Sequence, residues 1–176
     1  MKKPTFIAHC ACGRAEFEAI GKPFATISCY CDDCQAAGKL IDAMPGHSGL
    51  EADGGTVSVL FRKDLVRRGR GGELLVEHKL RPSSHAARLL ASCCNSNLAT
   101  VFDNWVPMAA LRTFSVNVDS VQPEKCINTR YAPDPSKLAR DLPQAARVPA
   151  SLLFKVLLAG VELALQRIPG GDGRVT

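Results

Sequence analysis

Cysteine placement constrains this chain more than any other feature. Five of its eight cysteines fall between positions 10 and 34, as Cys10-Ala11-Cys12 and then Cys29-Tyr30-Cys31-Asp32-Asp33-Cys34, and Cys93-Cys94 adds an adjacent pair far along the chain. Thiolates are soft donors that suit Zn²⁺, and a CxC or CxxC spacing lets two sulfurs converge on one ion while the intervening backbone amides offset the thiolate charge. Burial as small hydrophobes explains single cysteines, such as Cys126 between Lys125 and Ile127, but makes seven in three tight groups a coincidence. The spacing predicts one or two zinc ions, with redox pairing as the other use of such thiols. The amino terminus, MKKPTFIAHCACG, reaches polar and cysteine residues before any long apolar core, so it does not read as a secretory signal. The thiols are then expected to stay reduced, in a cytoplasm.

The rest of the composition is that of a folded domain. The 176 residues are 46% hydrophobic, with 22 Lys+Arg against 17 Asp+Glu, a formal charge of +5 and a mean hydropathy of +0.01. That excludes intrinsic disorder and collagen-like or coiled-coil chains, and a small charge excess spread along the chain does not demand nucleic acid. Residues 14 to 20 alternate, Ala15, Phe17 and Ala19 against Arg14, Glu16 and Glu18, as in a half-buried strand. Val57, Val59 and Phe61 alternate after Gly54-Gly55, Leu74 and Val76 after Gly71-Gly72, and Phe114, Val116 and Val118 repeat the pattern. Short strands between Gly-rich turns predict a small, mainly β, antiparallel architecture. The segment DDCQAAG reads as one short helical turn at most.

After Val118 the pattern changes. Pro123, Pro133, Pro135, Pro143 and Pro149 punctuate a stretch without strand alternation, which reads as an extension (119–176) on a β domain (5–118). It ends in an apolar helix over about 150–168. Ser151, Lys155, Glu162 and Gln166 share one narrow stripe of that helix and leucines, valines and Phe154 cover the rest. With Lys155 and Glu162 inside 19 residues it does not read as a transmembrane span. Packing on its own domain is the simplest use, and a homodimer or partner groove is the other.

The runs HCACGRAEFE, CYCDDCQAAG and ASCCNSNL together resemble the glutathione-dependent formaldehyde-activating enzyme family, which shares its domain with centromere protein V. The family pattern is a CxCG entering a strand, a CxCxxC some seventeen residues later and a distal CxxCG after a strand. The resemblance covers roughly residues 5 to 118 and implies a zinc-binding fold of two small sheets. By motif, Cys10 and Cys12 would belong to a closed structural site with the Cys93/Cys94 region. Cys29, Cys31 and Cys34 would form an open site where the thiol of glutathione can bind. The third motif departs from the pattern: Asn97 stands where the second cysteine is expected, so either Cys93 and Cys94 both coordinate or Cys94 does so with a weaker partner. A branch of the family with a CYCDDCQ run and a CCN-type third motif is the better resemblance.

Three thiolates leave one position of a tetrahedral zinc for water or an external thiol, and a thiol held there stays ionised near neutral pH. Such a thiolate is placed to attack formaldehyde or another small aldehyde and form a hemithioacetal, the chemistry of a carbon–sulfur lyase. No histidine lies inside the motifs, where Tyr30 takes a place the family often gives to histidine. His9 reads as a solvent-facing residue, and Asp32 and Asp33 as helix N-terminal residues with base roles as the alternative. Arg67 and Arg68, in the basic run FRKDLVRRGRGGE, are candidates to bind the carboxylates of an anionic thiol such as glutathione. One RGG triplet without interleaved aromatics makes nucleic acid an improbable partner. The rival readings are a non-catalytic zinc-stabilised β module for macromolecular interaction and a thiol redox or metal-handling protein.

Overall fold

The computed structural model describes residues 5–45, 49–112 and 121–166. Among the described residues eleven strands form two sheets, with one α-helix between strands and one α-helix at the carboxy-terminal side. The smaller sheet joins β1 (Thr5–His9), β2 (Glu16–Ile20) and β5 (Val66–Arg68), in the order β1-β2-β5. The larger sheet takes β3 (Ala25–Cys29), β4 (Thr56–Arg62), β6 (Leu75–His78), β7 (Ala86–Ala91), β8 (Asn97–Phe102), β9 (Met108–Arg112), β10 (Lys125–Ile127) and β11 (Gln144–Ala145). Its order is β11-β10-β3-β4-β9-β8-β7-β6.

Strand parity explains how this sheet holds a core on one side and a site on the other, since successive side chains point to opposite faces. Val59 and Phe61 of β4, Leu89 of β7, Ala99 of β8 and Leu111 of β9 meet Ala8, Phe17 and Ala19 of the small sheet in the main core. There Phe6 and Phe61 pack edge to face, with ring centroids 5.1 Å apart. The intervening residues, among them Ile27, Ser58, Leu60, Arg88, Ala110 and Arg112, face the opposite side and line a cavity. A bulge between Leu89 and Leu90 puts Leu98 and Ala99 both into the main core, so that Asn97 shares the cavity face with Thr100.

The architecture is mainly β with a carboxy-terminal helix, and most pairings are antiparallel. Strand β10 is the exception: it runs parallel to β3 and to β11. Its three residues are too short to show alternation, and they place the segment after 119 inside the large sheet. The expected strand at Leu74 starts one residue later, after a 3₁₀ turn over Gly72–Leu74, which buries Leu75 and leaves Val76 53% exposed. Phe114, Val116 and Val118 lie outside the described residues.

The DDCQAAG segment is a correction. It opens an 11-residue helix, α1 (Asp32–Asp42), rather than a single turn. Gly38 sits mid-helix, where a side chain would collide with that of Leu50, which packs over it. The amino-terminal residue of α1 is capped by Cys31, whose sulfur accepts from the Cys34 amide at 3.4 Å, while Asp32 and Asp33 occupy the first turn and favour its positive dipole end.

Helix α2 (Ala150–Gln166) follows the sequence expectation closely, but its orientation is unusual. Leu152, Ala159 and Leu163 are buried. Its polar stripe makes contacts with the sheet from the exposed edge of the helix: Glu162 meets the buried Arg62 at 2.6 Å, Lys155 meets Glu124 at 3.2 Å, and Ser151 accepts from Lys125 at 3.4 Å. Leu153, Phe154, Leu157, Leu158, Val161 and Leu165 are exposed instead. Among the described residues no helix is long and apolar enough to cross a membrane.

Candidate metal centre

Cys10, Cys12, Cys93 and Cys94 converge with their sulfurs all within 4.8 Å of one another. Two turns make this happen. Cys10 directly follows β1 and the chain reverses at once, with Gly13 at φ +72° and its amide bonded to the Cys10 carbonyl at 2.8 Å. Between β7 and β8 the amides of Cys94 and Asn95 both bond to the Ala91 carbonyl, and Asn95 takes a left-handed φ of +57°. Adjacent strand residues point to opposite faces, so only this tight turn lets Cys93 and Cys94 share a target. The sulfur separations are 3.5 Å (Cys10–Cys12), 3.7 Å (Cys10–Cys93), 3.3 Å (Cys12–Cys93) and 3.9 Å (Cys93–Cys94). A tetrahedral zinc–thiolate site has sulfur edges of about 3.8 Å, from a Zn–S distance near 2.3 Å.

The surroundings prepare for thiolates. The Ala15 amide donates to Cys10 Sγ at 3.2 Å, and Arg14 Nε to Cys12 Sγ at 3.5 Å. The Arg14 contact, with its backbone amide and Cys93, holds the Cys12 thiol down to about 6. Burial, followed by the hydrogen bonds from Cys12 and Cys10, pushes Cys93 up to about 12. Cys12 therefore ionises readily while Cys93 beside it resists ionising unless a cation joins them, which suits a metal-ligand set.

The second group, Cys29, Cys31 and Cys34, has the same compactness. Cys29 closes β3, Cys31 caps α1 and Cys34 lies in its first turn, so the strand-to-helix switch itself brings the three together. Asn128, in a left-handed conformation after β10, donates to Cys29 Sγ at 3.5 Å. Hydrogen bonds from Cys31 and Cys34 outweigh burial and hold Cys29 down to about 3, whereas contact with Cys29 and Cys31 pushes Cys34 strongly up. Among the described residues no fourth histidine, cysteine or carboxylate joins this group.

The three sulfurs border a cavity of about 380 Å³ on the free face of the large sheet. Helix α1 forms one wall through Ala37 and Ile41, and α2 the other through Leu152, Leu153 and Val156. Two arginines stand in the floor, Arg88 (5% exposed) and Arg112 (1%). Burial pulls Arg112 down to about 10.

The other sequence candidates fall elsewhere. Arg67 and Arg68 lie on β5 in the small sheet: Arg67 meets Glu18 at 2.7 Å, Arg68 donates to the Gly72 and Leu75 carbonyls, and neither lines the cavity. His9 is exposed. Asp33 lines the cavity and Asp32 does not. Cys126 is buried beside the Tyr30 hydroxyl, itself bonded to Asp53 at 2.6 Å.

The sequence profile of the glutathione-dependent formaldehyde-activating enzyme family matches residues 5–130. The chain belongs to that family. A crystal structure of a Rhodobacter sphaeroides protein is similar, with 15% identity and a TM-score of 0.47 over 78% of this chain and 98% of that one. No curated protein matches in sequence. Against the distal CxxCG of the formaldehyde-activating enzyme pattern, the geometry here is informative: Cys93 joins the four-sulfur group and Asn97 is turned by the bulge onto the cavity face. Arg88, Arg112 and Asn128 are cavity residues that the sequence reading passed over, and Asn97 was noted only as a departure from the third motif. The available signal was an arginine at the centre of the apolar run Ala86-Ala87-Arg88-Leu89-Leu90, a charge where strand burial leaves no place for an idle one.

Proposed function

We propose that the protein is a two-zinc member of its family that acts on the adduct of a small thiol, such as glutathione, with formaldehyde or another small aldehyde, as a carbon–sulfur lyase in a reducing cytoplasm. The observation that carries this reading is a three-sulfur group at the edge of a cavity, with a ligand position to spare. In this reading Cys10, Cys12, Cys93 and Cys94 hold a closed structural ion, tying residues 5–118 into one zinc-stabilised domain, and Cys29, Cys31 and Cys34 hold an open one. When bound, the open zinc supplies a Lewis-acidic position that keeps a fourth, external sulfur ionised.

The chain's own groups do the rest. Cys29 carries negative charge readily because Cys31, Cys34 and Asn128 all hydrogen-bond to it. The amino-terminal end of α1 offers its dipole to the same sulfurs. Asp33, which lines the cavity and is fixed to Arg81 at 3.1 Å, is the carboxylate placed to take or return the proton of a ligand entering there. The α1 and α2 walls surround the reacting end with apolar side chains.

The test is zinc-edge absorption, or cobalt-substituted spectroscopy, during a glutathione titration, followed by addition of formaldehyde. The reading expects one added sulfur ligand at one of two ions and an adduct formed or cleaved. An unchanged sulfur count at saturating thiol would move the assignment to a zinc-stabilised binding module. The outward apolar face of α2 favours that module as the second reading, and it also supports a homodimer formed through this helix.

A further inference from the structure

We propose that the cavity beside Cys29, Cys31 and Cys34 selects ligands that carry one carboxylate on an apolar body, with Arg88 as the carboxylate anchor. The inference rests on the thiol reading above only for what lies at the ligand's other end. Its basis is the unequal treatment of polar groups in the cavity floor. Arg88 is 5% exposed, and its Nη2 donates to the Asp33 carbonyl at 3.2 Å. Its Nη1 is buried with no hydrogen-bond partner, and among the described residues no carboxylate pairs with it. Asn97 is 6% exposed, and its Oδ1 is likewise buried and unpartnered. Buried polar groups are almost always satisfied, and an unpaired guanidinium edge is among the costlier exceptions.

Position turns this cost into a site. Arg88 is paired with Thr100 across β7 and β8, and both line the cavity. The bond from Arg88 to the Asp33 carbonyl fixes it to the first turn of α1, one residue from Cys34. Arg112, two strands further along the floor on β9 and bonded through Nη2 to the Gly49 carbonyl at 3.1 Å, adds a second positive charge. Two guanidiniums in a floor walled by Leu152, Leu153, Val156, Phe102 and Met108 suit a single anionic head and an aliphatic or aromatic body. They do not suit a phosphate-rich or strongly zwitterionic ligand, which would leave several charges against hydrocarbon. Glutathione, with two carboxylates and an ammonium, is on this view a poorer fit than an apolar mercapto acid.

Calorimetric titration of the zinc-loaded full chain with hexanoate and with hexanamide tests the anchor without using a thiol. Hexanoate should bind at least about tenfold more tightly than hexanamide, the difference expected of one charge-assisted hydrogen bond. The Arg88→Gln variant should bind the two alike. Equal affinities in the unaltered protein overturn the proposal, as does an acid preference that survives in Arg88→Gln, which would place the carboxylate on the metal. Should Arg88→Gln fail to fold, Asn97→Asp decides: a carboxylate there should weaken hexanoate and leave hexanamide unchanged, and equal weakening of both overturns the anchor. A parallel titration with 6-mercaptohexanoate separates the two readings. If its sulfur adds no affinity over hexanoate while the acid preference persists, the thiol site fails and the anchor stands.

Discussion

Replacing Cys31 removes a sulfur that has two jobs, capping α1 and completing the three-thiol group. Serine keeps the first job, since its hydroxyl is a good N-cap, and loses the second. Cys31→Ser should therefore shed one equivalent of zinc and all binding of external thiol while its thermal midpoint moves little. Cys12→Ser should lose one equivalent and unfold at a markedly lower temperature, because Cys12 and Cys93 are 81 residues apart and the ion between them closes that loop. Metal analysis beside a melting curve checks both. Arg14 makes a second case at this scale. It holds the Cys12 thiol down to about 6, so in metal-free protein Cys12 is mostly thiolate at neutral pH. In Arg14→Gln the thiol returns toward its ordinary range, and the pH at which Cys12 becomes half-reactive to iodoacetamide should rise. A profile that does not move would remove Arg14 from the site.

Among elements, α2 has the most unusual energetics. Its attachment rests on a few buried apolar residues and on ion pairs of unequal weight. Leu152 reaches the second core, beside Ile27, Leu60 and Ile127, and Leu152→Ala should cost about 2–4 kcal/mol by denaturant unfolding. Glu162 is 64% exposed, and its partner Arg62 also holds Asp64 at 2.8 Å, so Glu162→Gln should cost only about 0.5 kcal/mol. A reversal of that ranking would mean the helix is held by charge. Much of this level was legible in advance. The helix could be read from its apolar spacing, β2 and β4 from alternation, and the grouping of the cysteines from their spacing. What could not be read came from long-range context: α1 runs through Gly38 with Leu50 packed over it, and β10 is three residues whose strand character comes from pairing with β3. Arg88 and Arg112 were hidden because the purpose of a charge in an apolar strand shows only when the opposite face is assembled.

For the whole molecule, the proposed reading divides the labour of the two sulfur groups between holding and reacting. Chelation should lower the thermal midpoint chiefly through the four-sulfur group. Acidification should do the same, because protons and metal compete for thiolates and metal affinity falls as pH falls. The unfolding temperature of the zinc-loaded protein should thus drop with pH more steeply than that of a chelated control, and parallel curves would argue against bound metal. The outward leucines of α2 make a separate claim. If they meet a second copy, Leu157→Glu with Leu165→Glu should convert a dimer to a monomer in sedimentation without loss of zinc, and an unaltered protein that sediments as a monomer would dismiss the contact.

One hairpin belongs to both sulfur groups' neighbourhoods. Strands β7 and β8 carry Cys93 and Cys94 at their tip and Arg88, Asn97 and Thr100 along their length. An ion pulling on the tip and a ligand pressing on the floor load the same pair of strands, so each should tighten the other's grip, and by thermodynamic reciprocity to the same degree. A cell running short of zinc would accordingly find this protein losing its choosiness about ligands first, while the sheet around the pocket still stood.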